Sequence, residues 1–354
     1  MRAPLCASAR LLIRVPNWLG DLVMAEPVLR SADLRGAVTL VGPAHLLSLF
    51  EGRFPNCDRL YSDSARDWRG HGAALLLTGS FRSAWIAARA GIPVRAGLAR
   101  DGRGLLLTHA MTPARELGAV PLGLGIHGRG RRWLPRPFGT VCVELASLVG
   151  LHVPDRAPLL IPTDAARERV ARRLSALDLA RPFAVANVGS RAGSAKGAPA
   201  SVWQAVLAEF ARQSDLPIVL VSGPGEEAAL TAVQSAAPAP RLHGFPGPAA
   251  DLAELTALFS MAQVVITADN GPRHIASALG TPLSVMCGPT DPRHTADHLR
   301  STRIVRATQP CSPCHRECCP LEGPAHLACF TGIDPSEVAR SALELRAHAV
   351  ECAR

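Results

Sequence analysis

Residues 264–292, VVITADNGPRHIASALGTPLSVMCGPTDP, hold the densest chemistry in the sequence. An apolar strand (264–267) runs into the turn Asp269-Asn270-Gly271-Pro272. A helix (273–279), a second strand (283–287) and a second turn (288–292) follow. Pro272 suits a first helical turn, where its missing N–H has no partner to lose. A helix start presents unpaired N–H groups and partial positive charge, which favour a phosphate. A carboxylate beside it, Asp269, can hold sugar hydroxyls, and His274 lies one turn in, where its ring or backbone can face a diphosphate. This is the layout of a nucleotide-sugar site at the carboxyl edge of a parallel sheet. An ordinary strand–helix turn, with a satisfied histidine behind it, has the same local pattern.

Four other groups could do chemistry. The first strand ends in Val15-Pro16-Asn17-Trp18-Leu19-Gly20-Asp21. An ionised Asp21 at a ligand site is a general base for a hydroxyl; at a helix start it is also a cap. The loop 189–197, GSRAGSAKG, follows a strand with small residues and two cations, a plausible phosphate cradle that includes Ser190. Lys196 is the sole lysine among 38 cationic side chains, so its position could require a compact ammonium in place of a planar fork. Glu226 and Glu227 open a helix, as ribose ligands or as caps. In 125–137, GIHGRGRRWLPRP, Arg129, Arg131, Arg132 and Arg136 surround Trp133, either as a phosphate contact or as a solvated basic loop.

Five of the ten cysteines cluster at 311–329. The run C-x2-C-x3-C-C matches neither a zinc ribbon nor a ferredoxin pattern, so a reduced, metal-free loop is the expectation. If zinc were bound, Cys311, Cys314, Cys318 and Cys329 would be its ligands.

These residues need elements to position them. Strands at 11–15, 38–41 and 74–77 alternate with helices at 21–30 and 81–90 in the first half. The second half restarts with strand 183–188, helix 202–212, strand 217–222 and helices 226–235 and 251–261. The Pro-rich stretch 151–164 reads as a linker. The expected fold class is α/β. Two Rossmann-like doubly wound domains, 1–160 and 161–334, face each other across a cleft, and a last helix in 335–354 has no strand partner and could pack across the junction.

A chain of 354 residues, 48% hydrophobic and 4% aromatic, can bury two cores of this helix-on-sheet kind. The net charge of +9 favours anionic partners. No helix-turn-helix, zinc finger or basic-aromatic platform argues for nucleic acid. No run of about twenty apolar residues spans a membrane, and no apolar signal core precedes the first strand. A cytoplasmic location follows as an expectation, with peripheral contact to an anionic membrane surface.

Three segments in order, LLIRVPNWLGDLVMAEPVLRS, TADNGPRHIASALGTPLSVMCGPTDP and VRATQPCSPCHRECCP, resemble the lipopolysaccharide heptosyltransferases of glycosyltransferase family 9. The cysteine tail points to the heptosyltransferase II branch. The resemblance implies a GT-B architecture, with an N-terminal acceptor domain and a C-terminal nucleotide-sugar domain. It implies inverting transfer of L-glycero-D-manno-heptose from ADP-heptose to an acidic glycolipid, the lipopolysaccharide inner core. The family's catalytic aspartate falls on Asp21. Its phosphate-binding lysine falls on Lys196, its ribose glutamate on Glu226 or Glu227, its donor-site aspartate on Asp269, and the turn after it on Gly271, Pro272 and His274. Acceptor contacts would come from Asn17, Trp18, Arg129, Arg131 and Arg132. No cofactor is obligatory, and Mg²⁺ would at most assist.

Four positions depart from the family pattern. Gly197-Ala198 replaces Arg-Trp after the lysine, Asn270 replaces Ser or Thr, and Arg273 replaces an apolar residue. Two rival readings follow: a relative using another sugar or glycan, and a non-catalytic nucleotide-sugar binder.

Overall fold

The short apolar runs become strands buried on both faces, as parallel strands covered by helices must be. The computed structural model describes residues 9–352 except 124–125, 178, 180–181, 190–192 and 237–240, and the backbone alone for 118–132 and 236. The chain divides into two compact units. The first comprises Met1–Ala119, Arg129–Leu159 and Arg293–Asp297; the second comprises Val120–Gly128, Leu160–Pro292 and His298–Arg354.

In the first unit, β1 (Leu11–Arg14), β2 (Val38–Val41), β3 (Cys57–Leu60), β4 (Ala73–Leu76), β5 (Val94–Leu98) and β6 (His109–Met111) form one sheet. Its order is β3-β2-β1-β4-β5-β6, and every pair is parallel. Leu11 stands opposite Val38 on one side and Ala73 on the other, so β1 and β4 flank the point where the strand order reverses. Ligands of doubly wound sheets gather at that point. Leu12, Leu76, Ile86 and the fully buried Trp68 pack into one core.

The helix expected at 21–30 is two helices, Leu19–Met24 and Glu26–Arg35, meeting at Ala25. Pro27 has no N–H to continue the first helix and instead sits in the first turn of the second. The basic loop expected at 125–137 is in part a strand. β7 (Arg115–Gly123) and β8 (Ile126–Trp133) form a two-stranded sheet. Its Gly- and Arg-rich sequence has low strand propensity, so pairing rather than local preference makes it extended.

The second unit repeats the topology with β9 (Ala184–Asn187), β10 (Ile218–Val221), β11 (Leu242–Gly244), β12 (Val264–Ala268), β13 (Leu283–Met286) and β14 (Thr302–Val305). The order is β11-β10-β9-β12-β13-β14, again all parallel, with β9 and β12 at the reversal. The helix Leu252–Met261 starts at a capping box between Asp251 and Glu254. The final helix, Pro335–Cys352, places Val338, Ala339 and Ala342 in the core of this unit with Trp203, Phe210 and Phe330. Each fully buried Phe contributes about 1.5–3 kcal/mol relative to exposure, so this helix is fastened to the second sheet.

Candidate functional sites

In the second unit, β9 and β12 deliver their following loops to the strand-order reversal. Asn187 Nδ2 donates to Thr267 Oγ1 at 3.1 Å, and Thr267 Oγ1 donates to Asn270 Oδ1 at 3.2 Å. Asn270 Nδ2 donates to Gly189 O at 3.1 Å. These bonds tie both loops together and commit the Asn270 side chain to its own fold. Asn270 therefore makes no side-chain cap to the helix Gly271–Leu279, in which Pro272 occupies the first turn.

Asp269 is buried and answered on both oxygens. Arg273 Nε lies 3.1 Å from Oδ1, and the Thr290 hydroxyl donates to Oδ2. Burial opposes ionisation. The Arg273 guanidinium, the Thr290 hydroxyl and the charge of Lys196 together outweigh it and hold the carboxyl below its ordinary range. Arg273 Nε also donates to His274 Nε2 at 3.3 Å. Burial first, and then the Arg273 charge, depress the His274 pKa, so the ring is neutral. With Nε2 accepting, its proton sits on Nδ1. The family departure at Arg273 thus changes the site: the turn carries a buried ion pair that neutralises Asp269 internally. Thr290 and Arg273 were missed as functional residues in the sequence, although Arg273 stands one turn after Asp269, the spacing of a helical ion pair.

The two glutamates separate. Glu226 accepts from Gly223 N at 2.8 Å and packs on Gly189, where an added Cβ would fall 1.9 Å from Glu226 Oε2. Gly189 is required by this close approach. Glu227 is exposed and accepts from Gly225 N at 3.1 Å, and backbone hydrogen bonds lower its pKa. Glu226 is therefore the one at the strand-order reversal, and Glu227 serves its own helix start. Lys196 is exposed, on a loop fastened where Ala195 N donates to Glu317 O at 2.7 Å. Its charge reaches both Asp269 and His274. Ser190 lies outside the described residues.

The cysteines converge differently from expectation. Cys311, Cys314, Cys319 and Cys329 line one small apolar space of about 30 Å³, whereas Cys318 is exposed and takes no part. Leu327 N donates to Cys319 Sγ at 3.4 Å, which turns that side chain inward. Burial, and then the neighbouring thiols, push Cys329 up to about 11. Among the described residues, no group of three or more His, Cys, Asp or Glu is arranged to hold a metal ion.

The first unit carries a pocket of about 420 Å³ beside its own strand-order reversal. Pro16, Asn17, Trp18 and Asp21 line it from the loop and helix after β1, and Thr78, Gly79 and Ser80 line it from the loop after β4. Asp21 is partly buried in the helix Leu19–Met24, near Cys142. Burial, then Asp21 and Asp297, raise the Cys142 thiol well above its ordinary range. Asp297 in turn accepts from Thr140 N at 3.3 Å and Thr140 Oγ1 at 3.0 Å. Trp18 is exposed to 67%. Asn17 Oδ1 accepts from Arg14 at 2.8 Å, and Arg14 also pairs with Asp63 at 2.8 Å.

Arg103, not singled out by sequence, holds the far wall. It is fully buried and donates to the carbonyls of Thr78, Leu98 and Ser80, so the loop after β4 is pinned to β5. Gly97 makes room, since a Cβ there would meet the guanidinium at 2.7 Å. Trp133, Arg100 and Arg136 also line the pocket. Arg136 is held by Glu144 through two hydrogen bonds, one of 2.9 Å. The Trp133 ring carries Arg100 at 5.4 Å and Arg115 at 4.1 Å from its centroid. The side chains of Arg129, Arg131 and Arg132 lie outside the described residues; their backbone is in β8.

Chemically, the first site offers a carboxylate inside a pocket, and the second offers a cation and a helix start. Known proteins match this chain as follows. The profile of glycosyltransferase family 9 (heptosyltransferase) matches residues 146–325, half of the chain. Lipopolysaccharide heptosyltransferase 2 of Escherichia coli is 24% identical over 319 residues, spanning 84% of this chain and 88% of that protein. Lipopolysaccharide heptosyltransferase 1 of Pseudomonas aeruginosa is 31% identical over 103 residues, spanning 26% of this chain and 29% of that protein. The solved structure of Escherichia coli ADP-heptose LPS heptosyltransferase II superposes with a TM-score of 0.68 at 19% identity, covering 96% of this chain and 99% of that one. That likeness is one of fold.

Proposed function

The chain belongs to glycosyltransferase family 9, and from that premise we propose that it moves L-glycero-D-manno-heptose from ADP-heptose to the lipopolysaccharide inner core, in the manner of heptosyltransferase II. The observation that carries this reading is Asp21. It lies in the pocket beside the β1/β4 reversal, within the segment that resembles the family's first motif. The names of the Escherichia coli relatives support the donor and acceptor assigned.

In this reading the first unit, by sequence 1–160, binds the acidic glycolipid acceptor, and the unit that includes 161–334 binds the ADP-sugar. Asp21 takes the proton of the acceptor hydroxyl as that oxygen attacks the anomeric carbon, and the C–O bond to ADP breaks with inversion. Lys196 and the positive end of the helix Gly271–Leu279 meet the charge on the departing diphosphate. Each such donor is worth about 3–4 kcal/mol of barrier. Glu226 takes the ribose hydroxyls. Asp269 acts from behind, fixing Arg273. Mg²⁺, if bound to the diphosphate, would only add to this charge, which transfer in the presence of EDTA checks. The net charge of +9 favours peripheral contact with an anionic membrane surface, where the lipid acceptor is met; no described helix is long and apolar enough to cross a membrane.

Incubation with ADP-heptose, other ADP- and UDP-sugars and truncated lipopolysaccharide acceptors, read by mass spectrometry, tests the reaction. Asp21→Asn lowers transfer by about 10²–10⁴-fold while ADP affinity stays within about twofold of the parent. Near-normal turnover in that variant removes Asp21 from the role of base.

A further inference from the structure

The wall of the first-unit pocket holds a cation with no ion-pair partner among the described residues. Among the lining residues Asp21 is the single carboxylate, against Arg100 and Arg136. Arg136 is engaged by Glu144. Arg100 is not so engaged: no ion pair to it is present among the described residues, and its Nε is buried with no hydrogen-bond partner. Its guanidinium stands 5.4 Å from the Trp133 centroid, with Arg115 at 4.1 Å from the same ring. The fully buried Arg103 lies close enough for the two charges to repel. The exposed Asp101 offsets this in part from the surface. Two guanidinium groups thus gather on one aromatic side chain, with the charge of a third near Arg100. A guanidinium stacked on an indole keeps its donor edge available and needs little further ordering to bind an anion.

On the reading that this pocket takes the acceptor, we propose that Arg100, braced by Trp133, binds a carboxylate or phosphate group carried by the acceptor sugar and so sets acceptor specificity. The contact is a charge-assisted, two-pronged hydrogen bond from the guanidinium edge to two anionic oxygens. It bears on binding of the acceptor and leaves the reacting hydroxyl to Asp21. Asn17, Trp18, Arg129, Arg131 and Arg132, the contacts expected from sequence, are not needed for it.

The test compares Arg100→Gln and Arg100→Lys with the parent on three acceptors: the intact anionic oligosaccharide, its phosphatase-treated form and its carboxyl-reduced form. Transfer kinetics and calorimetric binding of each oligosaccharide are both measured. Arg100→Gln is expected to raise KM and Kd for the anionic acceptor by about 10- to 100-fold, with kcat and the donor KM unchanged. Arg100→Lys recovers part of the loss. The parent should lose the same factor on whichever modified acceptor lacks the recognised group, and Arg100→Gln should be indifferent to that modification. A phosphate is the ligand if phosphatase treatment reproduces the loss, and a carboxylate if reduction does. Equal loss on all three acceptors, or no loss, overturns the proposal. Failure of the parent to transfer heptose onto any acceptor overturns the proposed reaction instead, and the binding measurements still decide the role of Arg100.

Discussion

The ion pair inside the turn after β12 gives the sharpest test of how that turn is built. Asp269 and Arg273 are respectively 9% and 3% exposed and meet at 3.1 Å. At an effective dielectric near 20, unit charges at this range attract by about 5 kcal/mol. Removing one member of a buried pair costs about 3–5 kcal/mol, whereas replacing both by uncharged groups of similar size is often close to neutral. Asp269→Asn keeps the size and an acceptor but takes the negative charge from beside a buried guanidinium. Arg273→Met keeps length and leaves Asp269 with Thr290 and Lys196 as its compensation. The two units can unfold separately, so a single global transition is a poor reporter. Amide exchange over β12 and the helix Gly271–Leu279, read by mass spectrometry, measures opening of the turn itself. Opening in Asp269→Asn should rise by about two to three orders of magnitude, at ~1.4 kcal/mol per tenfold. The double variant should return most of that loss, so the two single effects together should exceed the double by roughly 3 kcal/mol or more. If Asp269→Asn exchanges like the parent, or the single effects simply add, the pair is not the element that fixes this turn.

Three further outcomes follow from the geometry. Lys196→Ala should raise the donor KM and cut kcat about 100-fold, with Lys196→Arg in between; unchanged kinetics would make Lys196 an ordinary surface cation. His274, held below its ordinary value of 6.5 by burial and Arg273, stays neutral in the folded state while the unfolded chain takes up a proton as pH falls through about 6.5. Urea stability of the second unit, read by pulsed amide exchange over β12, should therefore decline from pH 7 to pH 5 and less steeply in His274→Asn; parallel slopes would refute this, and the Asp269 contribution is lost only at pH values below the ordinary carboxylate range. Gly189→Ala should drive Glu226 from its place, because the new methyl would lie 1.9 Å from Oε2; an unaltered Kd for ADP, measured by calorimetry, would take Glu226 out of the donor site.

The local signals that the sequence carries are periodicity and turn chemistry, and these placed β1, β4, β9, β12 and the helix after Asp269 close to where they stand. They failed where pairing decides. β8 is poor in strand-forming residues and exists through β7. The first helix breaks at Ala25 because Pro27 acts on the hydrogen bonds of one turn, which an apolar stripe does not register.

Function divides along the same line. Sequence alone determined the motif segments, the solitary lysine and the charge of the chain, since each is a property of residue identity and short-range spacing. Tertiary structure decided which side chains meet: Glu226 rather than Glu227 against Gly189, Cys319 rather than Cys318 with the other thiols, and Arg100 and Arg115 on one indole. Those meetings depend on strand order and on the direction in which each side chain leaves the backbone. Neither is encoded within a few residues of the groups concerned.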